Sequence, residues 1–474
     1  MSKQPSVTGI AFDMLRAERQ GEAGLAQRRE RRFAALLRHA RAESPFYRRL
    51  YGGLAAGNIA LRDLPPITKQ ELMADFNDWV TDPRVTRTDV EAFVANPALV
   101  GTPYRGELFA CTSSGTTGHP GLFLHDQYAI AVYRALTLVR IDLGWLNASH
   151  WLRLARRGIR WAAVMGTGGH FAGVGWMELD RRRSAWRSRA YRVFSVQRPL
   201  DELVAELKAF DPTILSGYPS ALELLAGEQA AGRLHLKPVL VESAGESMTA
   251  DAGSRMAAAF GCEIHNAYGA SEFPCFALSC SHGWLHVSSD WAILEPVDEN
   301  FRPTPAGEAS YTVLLTNLAN RIQPIIRYDL GDSVLARPDP CPCGSHLPAI
   351  RVAGRRDDVL RLSASDGRTV AVLPLAIGAI IEETPGVHRS QLIQVGPATI
   401  RLRLEPQPGA NVEQLWRDAA ANLSAYLAKQ GLPGVKVVRA NEAPEQSAQS
   451  GKFRQVIAAP RTGAFATTSV KGQN

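Results

Sequence analysis

Short apolar runs alternate with helical segments through the middle of this chain, and that alternation most limits how it can fold. The runs Leu108–Cys111, Trp161–Met165, Thr213–Leu215 and Pro238–Ser243 are separated by stretches of helical spacing. Strands joined through helices lie parallel, with the helices covering the sheet faces, so the expected class is layered α/β with a mostly parallel sheet. Before this region, apolar Phe33, Leu36, Leu37 and Ala40 mark an amphipathic helix over residues 30–50 that ends at Ser44-Pro45. Thr68 in Leu64-Pro-Pro-Ile-Thr68 can cap a helix starting at Lys69.

From about Leu285 to Leu335 the pattern turns strand-rich, with Ser310–Leu315 and Ile322–Tyr328 short and full of β-branched and aromatic residues. This predicts a smaller β subdomain, followed by a polar turn at Gly354-Arg-Arg-Asp-Asp358. Val370–Ile381 reads as a buried strand leading into a helix. Gln391–Val395, Ile400–Leu404, a helix at Val412–Leu427 and Val435–Val438 give the last region its own β-α-β character. A chain of 474 residues exceeds a single core. The expected division is a large domain over 1–356, a small α+β lid over 357–461 and a disordered Thr/Gly/Ser-rich tail over 462–474.

The charge balance narrows the partners. Lys and Arg number 53 against 46 Asp and Glu, and dense runs such as Gln27–Arg32 and Arg181–Arg183 read as solvated helix faces. The surplus also suits anionic small molecules. Nucleic-acid binding is not expected, because the chain carries no zinc finger, RNP-type motif or aromatic-interleaved basic ribbon. Residues 1–30 have no apolar core segment, so no secretory signal is expected, and no stretch approaches the roughly 18 apolar residues of a membrane span. Six cysteines in so long a chain make no disulfide scaffold, which points to a reducing cytoplasm.

Chemistry concentrates in a few segments. Cys111-Thr-Ser-Ser-Gly-Thr-Thr-Gly-His-Pro-Gly121 gathers hydroxyls and glycines after a strand. Gly115 and Gly118 let the backbone turn its N–H groups inward, and Ser113, Ser114, Thr116 and Thr117 add donors, so the loop can wrap phosphate oxygens. It lacks the Gly-Lys-Ser/Thr ending of the common ATPase loop. Ala267-Tyr-Gly-Ala-Ser-Glu272 sets an aromatic ring that can stack on a base near a carboxylate that can hold Mg²⁺. Asp332 follows a strand and a glycine turn, where it can accept ribose hydroxyls. Arg355 adds a cation, and Ser450-Gly-Lys452 a lysine near the C-terminus.

Taken in order, these five segments resemble the adenylate-forming superfamily of acyl-CoA synthetases, adenylation domains and luciferases. Within it, Ser44-Pro-Phe-Tyr47, Leu64-Pro-Pro-Ile-Thr-Lys69, Tyr218-Pro-Ser220, Ala244-Gly-Glu246 and Cys341-Pro-Cys-Gly344 resemble the phenylacetate-CoA ligase branch, and the resemblance runs from about residue 30 to 460. It implies that residues Ser113, Ser114, Gly115, Thr116, Thr117 and Gly118 hold the β- and γ-phosphates of ATP. It places Ala244, Gly245, Glu246 and Tyr268 around adenine, Glu272 on Mg²⁺, and Asp332 with Arg355 on the ribose. Lys452, Glu272 and Thr116 are then the catalytic groups, and Asp357 the hinge between two half-reactions: formation of an acyl-adenylate from a carboxylic acid, then of a thioester with coenzyme A. By position, Gly168, Gly169, His170, Phe171 and Tyr218 line the acid's pocket. His170 contacts the substrate carboxylate or is a structural histidine; Trp161, Phe171 and Trp176 suit a flat or apolar acid or simply pack the core.

Two departures are visible. His119-Pro-Gly121 lacks the lysine that ends many superfamily loops. Ser365–Pro374 also differs from the branch's usual Gly-Val-Asn-x-Phe-Pro-like segment, which leaves transfer to an amine or a carrier thiol, or nucleotidyl transfer alone, as alternatives to coenzyme A. Separately, Cys280-x5-His286 and Cys341-x-Cys343 offer two close ligand pairs for a structural zinc, with Cys275, His282 and His346 as substitutes. The competing reading is buried, unliganded thiols. The sequence leaves a homodimer open.

Overall fold

The computed structural model describes residues 6–54, 59–113, 121–355, 358–372, 374–446 and 453–459. They fall into two compact units that meet in the chain between Val352 and Ala353.

In the first unit, helices Val7–Arg19 and Gly21–Glu43 open the chain, the second beginning earlier than its apolar spacing indicates and ending before Ser44. Ser44 caps the short helix Pro45–Leu50, with Pro45 at its first position. Thr68 and Glu71 form a reciprocal capping box at the helix Lys69–Ala74, as the sequence indicates.

Strands β1 (Phe109–Thr112) and β2 (Leu122–His125) pair antiparallel, so the hydroxyl-rich segment joins two strands of a hairpin. Next come β3 (Trp161–Met165), β4 (Tyr191–Ser195), β5 (Ile214–Gly217), β6 (Leu240–Ala244) and β7 (Ile264–Ala270), all parallel and connected through helices. Then β8 (Phe273–Ser279) and β9 (Leu285–Val287) extend the sheet antiparallel.

The strands β10 (Ala292–Val297), β11 (Thr312–Asn317) and β12 (Ile325–Asp329) form a separate antiparallel sheet, the core of the expected β subdomain. That subdomain is narrower than expected, because β9, β13 (Asp332–Ala336) and β14 (Ala349–Arg355) belong to the nine-stranded sheet. Its order is β13-β14-β9-β8-β7-β6-β5-β3-β4. The segment expected to start a polar turn at Gly354 instead continues strand β14 through Arg355.

The parallel part reverses direction between β3 and β5: β4 lies on one side of β3 and β5 on the other. Ligands of open α/β sheets sit outside the carboxyl ends of the strands at such a switch. Two apolar cores back the sheet, one around Phe109, Trp79, Phe273 and Ile326, the other around Leu207, Leu222 and Val241.

The second unit has a hairpin of β15 (Leu360–Ser363) and β16 (Thr369–Val372), and a sheet of β17 (Val387–Gly396), β18 (Thr399–Pro406), β19 (Lys436–Arg439) and β20 (Val456–Ile457) in the order β19-β18-β17-β20. Helices Pro374–Glu382 and Val412–Lys429 complete it. Leu360, Ile377, Leu392, Leu402, Ala419 and Leu423 are buried together in its own core.

Candidate functional site

The predicted residues of the first unit gather at one end of the parallel strands. Ser113 follows β1, Gly168 to Phe171 follow β3, Tyr218 follows β5, Gly245 and Glu246 follow β6, and Glu272 follows β7. Adjacent strand ends are joined by specific contacts. The amide of Thr112 donates to the His170 carbonyl at 2.7 Å, tying the β1 and β3 loops. Burial pushes the Tyr218 phenol up to about 12, its oxygen meeting the Gly166 backbone. The Glu246 carboxylate accepts from the Ser220 amide at 3.1 Å, at the start of the helix Pro219–Ala230. A carboxylate there satisfies a free amide and suits the helix's positive end. Gly168 and Gly245 have φ of +87° and +85°, the left-handed region that favours glycine.

The hydroxyl-rich loop is pinched at its feet. Ser113 donates its amide to the Gly121 carbonyl at 2.9 Å, and its hydroxyl accepts from the Gly121 amide at 2.7 Å. Ser114, Gly115, Thr116, Thr117 and Gly118 lie outside the described residues, as do Asp357 and Lys452.

Glu272 is buried, and the backbone that carries it is anchored by side chains that the sequence does not single out. Nδ2 of Asn317 donates to the Glu272 carbonyl at 2.9 Å and to the Tyr133 hydroxyl at 2.9 Å. That hydroxyl meets Nδ1 of His125 at 3.0 Å, and Nε2 of His125 meets the Ser271 carbonyl at 3.0 Å. A carbonyl only accepts, so His125 carries its proton on Nε2 and takes the Tyr133 proton at Nδ1. Burial holds His125 down at about 4, which keeps the ring neutral in this relay. Gly269 is required for the turn, since a Cβ there would lie 1.9 Å from the Pro274 carbonyl oxygen.

Tyr268 and Asp332 also meet, the phenol donating to the carboxylate at 2.7 Å. The Tyr268 ring packs edge-on against Phe276, which fixes its plane. Arg355 sits at the exposed end of β14, in the second unit. His170 is buried; its Nε2 donates to the Asn96 carbonyl at 3.0 Å and its ring stands against Phe93, so its ring nitrogen is already engaged within the fold. Trp176 packs on Phe109 and Tyr133 in the core.

Elsewhere in the first unit, Cys280, His286, Cys341 and Cys343 converge, with all four ligand atoms within 4.8 Å of one another. The two thiol sulfurs of Cys280 and Cys341 are 3.8 Å apart, and Cys343 Sγ is 3.2 Å from Nε2 of His286. Four ligands around one zinc at about 2.3 Å stand roughly 3.8 Å apart. Nδ1 of His286 donates to the Leu347 carbonyl at 2.9 Å, which leaves Nε2 with its lone pair toward the sulfurs. Of the proposed substitutes, Cys275 packs in another apolar cluster, His346 lies against Gly21, and the four converging residues do not include His282.

The fold is shared with solved acid–CoA ligases. Among solved structures it is similar to a 2-hydroxyisobutyryl-CoA ligase in the postadenylation state, with a TM-score of 0.66 and 21% identity over 94% of this chain and 91% of that one. A benzoate CoA ligase from Burkholderia xenovorans LB400 superposes with a TM-score of 0.51 at 18% identity, over 73% of this chain and 67% of that one. An anthranilate CoA ligase in complex with anthranoyl-AMP gives 0.50 at 19%, over 73% of this chain and 64% of that one. No family model and no curated protein matches the sequence.

Proposed function

We propose that this chain is an AMP-forming acid–CoA ligase of the phenylacetate-CoA ligase-like type. The observation that carries the reading is the gathering of Ser113, Glu246 and Glu272 at the carboxyl ends of the parallel strands, with Tyr268 and Asp332 hydrogen-bonded to each other. In the first half-reaction a carboxylate oxygen of the acid attacks the α-phosphorus of ATP, a new C–O–P linkage forms, and the bond to pyrophosphate breaks. In the second, the thiol of coenzyme A displaces AMP from the acyl carbon.

The residues divide this work. The backbone and hydroxyls of Ser113 to Gly118 hold the β- and γ-phosphates. Tyr268, with Ala244, Gly245 and Glu246, frames adenine, and Asp332 with Arg355 accepts and steadies the ribose. Glu272 presents a buried carboxylate on an anchored backbone, which fits a site for Mg²⁺; that ion would offset phosphate charge. Lys452 stabilises charge on the transferring oxygens, and Asp357 serves as the hinge between half-reactions. Phe171, in the segment that follows the carboxyl end of β3, favours an aromatic acid. The Cys280–His286–Cys341–Cys343 cluster holds a structural zinc that clamps the β8–β9 connection to the turn before β14.

The test is pyrophosphate release with ATP and Mg²⁺ across aryl, fatty and amino acids, each with and without coenzyme A. Turnover that needs one acid and coenzyme A is expected. Release indifferent to coenzyme A keeps adenylation and replaces the acceptor; no release and no ATP binding would end the reading.

A further inference from the structure

Among the described residues, the β1–β2 hairpin pairs with no third strand and stands as a two-stranded sheet by itself. An isolated hairpin is marginal in water, so its place in the molecule has to be fixed by other contacts. The outer edge of β2 carries them. The Leu124 amide donates to Oε1 of Gln323 at 2.6 Å, and the Leu124 carbonyl accepts from Nδ2 of Asn320 at 2.8 Å. The Leu122 carbonyl accepts from Nε2 of Gln323 at 3.5 Å, and its amide meets Sδ of Met73 at 3.4 Å. A backbone amide only donates and a carbonyl only accepts, so these contacts fix how both side-chain amides are turned. Two buried side chains thus stand where a neighbouring strand would.

Asn320 and Gln323 belong to one short segment, 317–323, that starts at the last residue of β11. Its first residue, Asn317, holds the Glu272 carbonyl. The Arg321 amide donates to Oδ2 of Asp126, the residue after β2, at 3.0 Å. From elsewhere in the fold, the Thr81 amide donates to the Ile322 carbonyl at 3.0 Å. The Tyr47 phenol and the Trp79 indole both donate to the Pro324 carbonyl, at 2.8 and 2.7 Å. The Ser44-Pro-Phe-Tyr47 stretch therefore helps to anchor this segment. One anchored segment grips both the strand that begins next to Gly121 and the turn that carries Glu272.

We propose that Gln323 and Asn320 are positioning residues for the nucleotide, setting the β1–β2 hairpin against Glu272. The inference rests on the adenylation reading, in which the hairpin's connection takes the β- and γ-phosphates and Glu272 the Mg²⁺. Neither residue touches a reacting atom. Their effect passes along the backbone of Leu124 and Leu122 to Gly121, whose amide and carbonyl are both bonded to Ser113. Tyr268 and Asp332, which frame the base and sugar in that reading, are bonded to each other and not to this segment.

The experiment is calorimetry on the full chain with two probes, AMP and α,β-methylene-ATP with Mg²⁺, because AMP lacks the two outer phosphates. Gln323→Met keeps the volume and removes both bonds to β2; Asn320→Leu removes the third. Each variant is expected to bind the ATP analogue about 10- to 100-fold more weakly, with AMP within about twofold of wild type. A merely structural defect would weaken both nucleotides alike. Should Gln323→Met fail to fold, Asn320→Leu decides. Unchanged binding of the analogue in a folded variant, or an equal loss for both nucleotides, overturns the inference and leaves the adenylation reading in place. Wild type that binds AMP but not the analogue overturns it as well. Wild type that binds neither nucleotide removes the reading beneath.

Discussion

The phenol of Tyr268 donates to Oδ2 of Asp332 across 2.7 Å, joining the end of β7 to the first residue of β13. A residue proposed to frame the base thus orients the residue proposed to hold the sugar. A hydrogen bond to a charged group contributes about 1.5–3 kcal/mol. Tyr268→Phe keeps the ring and its contact with Phe276 but frees the carboxylate. The expected result is a KM for ATP raised about tenfold with kcat changed less, read from pyrophosphate release at varied ATP. A KM within twofold of wild type, roughly 0.4 kcal/mol, would deny this coupling.

Asn317 should matter to the metal without touching it. Its amide holds the Glu272 carbonyl and the Tyr133 hydroxyl together, both buried. Asn317→Leu conserves volume but removes the amide donor that both groups share, so the cost is about 1–3 kcal/mol of stability. The Mg²⁺ concentration for half-maximal activity should rise several-fold. A variant that melts lower but shows an unchanged Mg²⁺ titration would leave Asn317 a purely structural role.

Lys452→Ala should cut adenylation about 100- to 1000-fold while ATP affinity stays close to wild type, because a group acting on transition-state charge adds little to ground-state binding. Equilibrium ATP binding and single-turnover pyrophosphate release separate the two. Parallel loss of both would reassign Lys452 to substrate binding.

Protein purified without added metal should carry about one zinc per chain, and Cys343→Ser should lower that content together with Tm, by on the order of 5–10 °C. Elemental analysis and thermal melting report the two. Fewer than about 0.2 zinc per chain in the wild type would remove a dedicated site.

The buried acids also set a pH dependence. Glu242 stands in register with His265 on β7, and burial, aided by the charge of Asp142, raises its carboxyl from 4.5 to about 7. In the unfolded chain it ionises at its ordinary value, so between about pH 4.5 and 7 the folded state binds more protons. Its contribution to stability is therefore greatest below that window and falls as pH rises through it, with an upper bound of roughly 3 kcal/mol. Denaturant melts of wild type against Glu242→Gln should converge at low pH and separate toward pH 7, the variant being the more stable. Parallel curves would place Glu242 in contact with water.

Much of the frame was legible locally. Thr68 announces its helix because a cap needs only neighbours three residues away. The β3 strand, Trp161–Met165, begins and ends where its apolar run does. The four zinc-type ligands were readable as two pairs, since each pair sits in one short turn or hairpin. The β14 strand was misjudged at Gly354, whose φ of +120° looks like a turn residue but is carried within a strand.

The sequence by itself determined the order of the motifs, the α/β alternation and the residue types at each strand end, because those depend on spacing along the chain. Only the tertiary structure decided that Asn317 and His125 hold the backbone of Ser271 and Glu272, and that the His170 ring is taken up by Asn96. Each of these meetings joins residues tens to hundreds of positions apart. The packing of distant elements sets them, and periodicity within one element carries no information about which distant element lies against it.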